Sequence, residues 1–151
     1  MRKLMWGMWG SIAGLAAVLA VVAWVAWPPP ASPEPPRARE FRNYDLCLLT
    51  GQEGIGAGVG ATAWAGLQEV SKQTNVRLSY LSVSGEQTEA RARQYVATQV
   101  QQQCGIIVAV GKPQVDAVGA MSGKYPTVKF VALTDDVTST EVTAKVNPLI
   151  P

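Results

Sequence analysis

The sequence predicts an α/β domain on an open parallel sheet, carried behind an apolar amino-terminal segment. Three observations predict it. Tyr44 to Val70 reads as a short apolar strand (YDLCLLT), a glycine-rich loop (GQEGIGAGVG) and an amphipathic helix (ATAWAGLQEV), the opening unit of an open α/β sheet. Gly105 to Val110, GIIVAV, is a continuous apolar run, as a central parallel strand buried on both faces requires. Strand and helix patterns then alternate to the end of the chain, and right-handed crossovers give a sheet order of 2-1-3-4(-5) with three helices.

The apolar segment comes first. Arg2 and Lys3 precede a run from Leu4 to Trp27 that carries no charge and has tryptophans towards both ends. A membrane span needs about 20 apolar residues, and tryptophan suits the two interfaces. The expectation is a cytoplasmic tail (1–3) and a single-pass signal-anchor helix (4–27). The alternative is a cleaved signal peptide, for which Val21-Val22-Ala23 offers a small-residue site and after which the domain is secreted. Both place the globular part outside the cytoplasm. Residues 28–42 are a proline-rich linker, which favours an extended, semi-rigid spacer; a proline-rich recognition peptide is the alternative. The extracytoplasmic domain is 43–147.

Within the domain, Asp45 to Thr50 is the first strand. Gly51, Gly54, Gly56, Gly58 and Gly60 interrupt regular structure, and Trp64, Leu67, Val70 and Ser71 then recur at helical spacing. Val76, Leu78 and Tyr80 alternate with Arg77 and Ser79 as a half-exposed edge strand. Ser84 with Gln87 fits a capping box for the second helix, whose Ala92, Val96 and Val100 share one face while Glu89 and Arg93 pair on another. Pro113 suits the start of the third helix, with Val115, Val118, Met121 and Tyr125 inward. Val128 to Thr134 is the fourth strand, and Glu141 to Val146 a weak fifth.

Charge and motifs exclude several classes. From 43 to 146 eight Lys/Arg stand against nine Asp/Glu, so the domain has no electrostatic footprint for nucleic acid. Gly56-Ala57-Gly58-Val59-Gly60-Ala61 matches a dinucleotide fingerprint, but the second strand ends Leu81-Ser82-Val83-Ser84 without the acidic residue that would hold a ribose. Lys112 follows no phosphate-binding glycine loop. The chain has no histidine, and its two cysteines are too far apart for a zinc site, so no metal, cofactor or catalytic residue is assigned. Asp135 and Asp136 read as a solvated turn.

From Cys47 to Asp135 the chain resembles the amino-terminal lobe of the basic membrane protein (BMP) family. The likeness is carried by Leu49-Thr50 leading through the glycine loop to Ala63-Trp64-Ala65-Gly66-Leu67, by Gly105-Ile106-Ile107-Val108-Ala109-Val110-Gly111, by Asp116-Ala117-Val118, and by Tyr125-Pro126-Thr127-Val128-Lys129-Phe130-Val131-Ala132. The resemblance implies a type I periplasmic-binding-protein lobe, an ABC transporter substrate-binding protein, and a nucleoside-like ligand. Where that family's first loop carries acidic residues and a Phe-Asn pair, this chain has Gly56, Val59 and Gly60, with Gln52 and Glu53 as the polar side chains nearby. The likeness stops where the chain stops, so a single lobe is expected.

The reading is therefore a membrane-anchored binding or interaction module, not an enzyme. The alternatives are a reduced nucleotide-dependent enzyme, for which no catalytic group is found, and a structural module without a small-molecule ligand. A ligand would meet the mouth formed by Gln52, Glu53, Ser84, Lys112 and Asp135. Cys47 in the first strand and Cys104 before the third are expected to form a disulfide, because the strands are neighbours and the compartment is oxidising. With three helices, one sheet face carries a single helix; its apolar surface is the expected site for a homodimer or protein partner, the alternative being that the tail, with Val142, Val146, Leu149 and Ile150, folds back to cover it.

Overall fold

The computed structural model describes residues 16–24 and 40–151. Residues 16–24 are helical and exposed, Trp24 at 84%. The rest of the expected span 4–27, the tail 1–3 and most of the linker lie outside the described residues. Among the described residues no helix is long and apolar enough to cross a membrane. Residues 1–38 and 39–151 form two separate units.

The second unit runs β1 (Arg42–Thr50), α1 (Gly58–Thr74), β2 (Val76–Ser82), α2 (Glu89–Gln101), β3 (Cys104–Val110), α3 (Lys112–Met121), β4 (Lys129–Leu133) and α4 (Ser139–Val146). The four strands form one parallel sheet of order β2-β1-β3-β4, as the crossover rule requires. Leu46 to Leu49 and Ile106 to Val110 are buried without interruption, which fits central strands covered on both faces. On the edge strand β2 only Val76 is fully buried.

Three expectations are corrected. Glu141 to Val146 is not a fifth strand but lies in α4. Thr138 and Glu141 close a capping box there, and Val142 and Val146, one helical turn apart, are fully buried. Tertiary burial and the cap outweigh the β propensity of this Thr- and Val-rich stretch. The box expected at Ser84 and Gln87 is not formed. α2 starts at Glu89 with Thr88 as its cap, and Ser84 instead meets the Tyr95 hydroxyl at 2.8 Å. Finally, the sheet face expected to carry one helix carries two. α1 and α4 cover Leu46, Leu48, Ile106, Val108 and Val110, and α2 and α3 cover Cys47, Leu49, Ile107 and Ala109. The apolar patch expected there is filled by Val142, Val146, Leu149 and Ile150.

Gly66 makes that cover possible. A Cβ at this position would lie 2.5 Å from the Ser139 carbonyl oxygen and 2.7 Å from Val142 Cβ, so only glycine lets α1 and α4 meet this closely. Thr143 Oγ1 donates to the Gly66 carbonyl at 3.1 Å across the contact. At the far end α1 stops at Asn75, in the left-handed conformation (φ 57°) that asparagine tolerates.

Cys47 and Cys104 form a disulfide between β1 and β3, with Cα atoms 5.9 Å apart and both side chains buried. The bond closes a loop with a sequence separation of 57, and removing it with a Cys47→Ala/Cys104→Ala double substitution is expected to cost about 4 kcal/mol in the chain-entropy model. Denaturant unfolding of both proteins measures the difference. Free thiols in the unreduced, denatured wild-type chain would contradict the bond.

Candidate functional site

In a parallel sheet all strands end on the same side, so the segments after β1, β2, β3 and β4 share one rim. β1 and β3 are neighbours whose following helices leave to opposite faces. Between them lies a crevice of about 140 Å³, lined by Thr50, Gly51 to Gly54, Ala57, Val59, Gly60, Val110 and Gly111. Its wall depends on two glycines. Gly54 turns with φ 61°, and a Cβ on Gly60 would fall 2.0 Å from the Gly54 carbonyl oxygen. The glycine loop thus folds back onto the first turn of α1.

The polar side chains at and behind this rim are bonded within the chain. Thr50, 1% exposed, donates from Oγ1 to Ser82 Oγ at 3.2 Å. The Gln114 amide, equally buried, meets Gln87 Oε1 at 3.1 Å, and Gln87 Nε2 donates to the Val83 carbonyl at 2.8 Å. Neither α1 nor α3 has a side-chain cap: their cap residues are Ala57 and Gly111. The first N–H groups of both helices, of which Pro113 supplies none in α3, have no intrahelical acceptor and lie at this end of the sheet. α2 and α4 differ, being capped by Thr88 and Thr138.

The five rim residues expected from the sequence all follow strand ends and are all exposed, but they are not gathered into one cluster. Gln52 and Glu53 line the crevice; Ser84, Lys112 and Asp135 do not. Lys112 turns along its own helix to Asp116 at 2.9 Å, and that hydrogen bond raises its pKa. Ser84 is engaged by Tyr95, whose pKa is lowered by the Ser84 hydroxyl contact. Asp135 has the neighbour Asp136, whose carboxyl is held low by the Thr134 side chain, and Glu141 is held low by the Thr138 main-chain N–H. These hydrogen bonds serve loops and caps. Thr50, Gln87 and Gln114 were missed by sequence reasoning. The signal available was a polar residue, Gln114, on the otherwise apolar inner face of α3.

A second hollow, about 790 Å³ and wide open, lies between α1 and α4 and includes Gly66, Glu69, Gln73 and Thr140. It is the outer cleft of the helix crossing and lies away from the strand ends, where open α/β sheets take ligands.

A family model, Bmp, described as ABC transporter substrate-binding protein PnrA-like, matches residues 54–145. Among solved structures, a fragment of a protein described as a lipoprotein from Peptoclostridium difficile 630 superimposes with a TM-score of 0.59 at 11% identity. The match covers 72% of this chain and 99% of that one, and it shows a shared fold. No curated protein matches the sequence.

The close approach of Gly60 to Gly54 gives a direct test of the rim. Gly60→Ala is expected to push the loop off α1 and destabilise the domain by about 1–3 kcal/mol, the usual cost of overpacking. Gly123→Ala, where an added Cβ meets nothing within 4 Å, is the control and should lie close to wild type in the same melting experiment.

Proposed function

Because this chain belongs to the Bmp family of PnrA-like ABC transporter substrate-binding proteins, we propose that its α/β domain is a membrane-anchored, extracytoplasmic binding lobe. It presents one half of a site for a nucleoside-like small molecule. The observation that carries this reading is the crevice at the β1/β3 switch point, flanked by two uncapped helix starts. Main-chain N–H groups there suit hydroxyl or carbonyl oxygens of a polar ligand. A crevice of about 140 Å³ is smaller than the roughly 300–1,000 Å³ of enclosed ligand sites. The lobe then supplies a floor, and a second surface closes over the ligand. Gln52 and Glu53 are the side chains placed to touch it; Ser84, Lys112 and Asp135 stand further along the rim.

The reading is one of binding rather than catalysis, in keeping with a substrate-binding family. The anchor is supported by Arg2 and Lys3 before the uncharged run 4–27, and by the exposed apolar side chains of helical residues 16–24. The buried disulfide fits an oxidising compartment.

Two experiments test the two halves of the proposal. In titration calorimetry with purine and pyrimidine nucleosides, the full chain in detergent is expected to bind weakly, and Gln52→Ala/Glu53→Ala to abolish the heat. No heat with any nucleoside would remove the ligand class and leave an interaction module. For topology, Cys47 and Cys104 are bonded and buried and cannot report. A cysteine at exposed Glu86 is expected to react with a membrane-impermeant maleimide in intact cells. Reaction only after lysis would place the domain in the cytoplasm.

A further inference from the structure

We propose that two copies of this chain join through the outer edge of β2, antiparallel, into one continuous sheet. This edge runs alongside the strands and is separate from the mouth at their ends, so the inference does not depend on ligand binding.

The main chain sets the register. Arg42 N donates to the Asn75 carbonyl at 2.7 Å and Val83 N to the Thr50 carbonyl at 2.9 Å. Pairing between β1 and β2 is unbroken from Asp45/Arg77 to Thr50/Ser82. The odd-numbered residues of β2 thus spend their N–H and C=O groups on β1, and alternation turns those of Leu78, Tyr80 and Ser82 outward. Among the described residues no strand meets that side. The Val76 carbonyl is already used by the Ser71 hydroxyl at 2.8 Å.

Edges of soluble sheets are usually guarded by lysine, proline or inward charge. β4 has such a guard in exposed Lys129. β2 has none. Its only charge, Arg77, is pulled back onto Asp45 at 2.5 and 2.9 Å and onto Asn43 at 3.0 Å, all on the β1 side. The edge is therefore electrically neutral and is matched by a copy of itself. A two-fold axis at Ser79 sets Leu78 opposite Tyr80 of the second copy, Tyr80 opposite its Leu78, and Val76 opposite its Ser82. In this register no like charges face each other, since Arg77 falls opposite Leu81. A one-residue slip would oppose outward groups to inward ones, and a two-residue slip would leave end pairs unmade. Tyr80 is 44% exposed and stands edge-on to Trp64 at 5.3 Å, so the two copies would join their Leu78, Tyr80 and Trp64 side chains into one apolar strip. One strand pair makes an interface at the small end of the range, below about 1,200 Å², so the association is weak and concentration-dependent.

The test is sedimentation velocity of the full chain in detergent over a concentration series. The wild type is expected to show a reversible monomer–dimer equilibrium. Tyr80→Pro removes an N–H that β1 does not use, and Tyr80→Lys gives the edge the guard it lacks; each is expected to weaken dimerisation at least about tenfold. Should Tyr80→Pro fail to fold, Tyr80→Lys at this exposed position decides alone. A wild type that stays monomeric throughout overturns the proposal. So does a dimer that the variants leave intact, which would point to the amino-terminal segment or another face.

Discussion

The pairing of β1 with β3 is the constraint on which the rest depends. Leu46, Leu48 and Leu49 on one strand and Ile106, Ile107, Val108 and Ala109 on the other are fully buried, alternately towards the two faces. Each large aliphatic side chain contributes about 1.5–3 kcal/mol only if its own face is covered. Two helices on one face and one on the other would leave part of that gain unrealised. α4 supplies the missing cover, and it reaches the sheet because Gly66 offers no side chain to hold it off. The disulfide joins these same two strands, so the covalent link and the apolar core constrain one pairing.

That pairing also locates the mouth. β1 and β3 send their helices to opposite faces, so the chain parts between their ends and a crevice is unavoidable. How deep it becomes is decided locally. The glycine loop packs down on α1 through Gly54 and Gly60, and Thr50, which lines the crevice, is bonded to Ser82. The loop that resembles a nucleotide-binding turn in composition is thereby a packed wall. Gly60 answers to contact with the Gly54 main chain, and Gly54 and Gly58 to left-handed backbone angles.

Most of the fold was legible in the sequence because its signals are periodic and local. GIIVAV reads as a buried strand and VRLSY as a half-exposed one, and the helical faces of α1, α2 and α3 followed from apolar spacing, although α3 ends at Met121, short of the expected Tyr125. α4 was not legible as a helix. Eight residues rich in Thr and Val carry β propensity, and what decides between strand and helix is the contact of Val142 and Val146 with a core assembled from residues far away in sequence. Capping was misassigned for a related reason. Ser84/Gln87 and Thr138/Glu141 have the same spacing, but Ser84 is taken by Tyr95 and Gln87 by the Val83 carbonyl, and Thr88 caps α2 instead. The site was legible as a rim, since topology alone gathers strand ends. The polar pair behind the rim was not, because Gln87 and Gln114 belong to no motif and become neighbours only when α2 and α3 pack on one face.

The state of the polar groups at the mouth bears on how such a lobe can recognise anything. Thr50 with Ser82, Gln87 with Gln114, Ser84 with Tyr95 and Lys112 with Asp116 are already paired within the chain. A ligand that displaced one of these contacts would exchange one hydrogen bond for another, at a net gain of about 1 kcal/mol or less. The first N–H groups of α1 and α3 are different, because no side chain caps either helix. On the function proposed above, main-chain donors would read the position of an oxygen, and Gln52 and Glu53 would supply the side-chain contacts of this lobe. Discrimination among ligands would then rest on those two side chains and on a second surface closing over the crevice, where exclusion of water makes each added contact count for more.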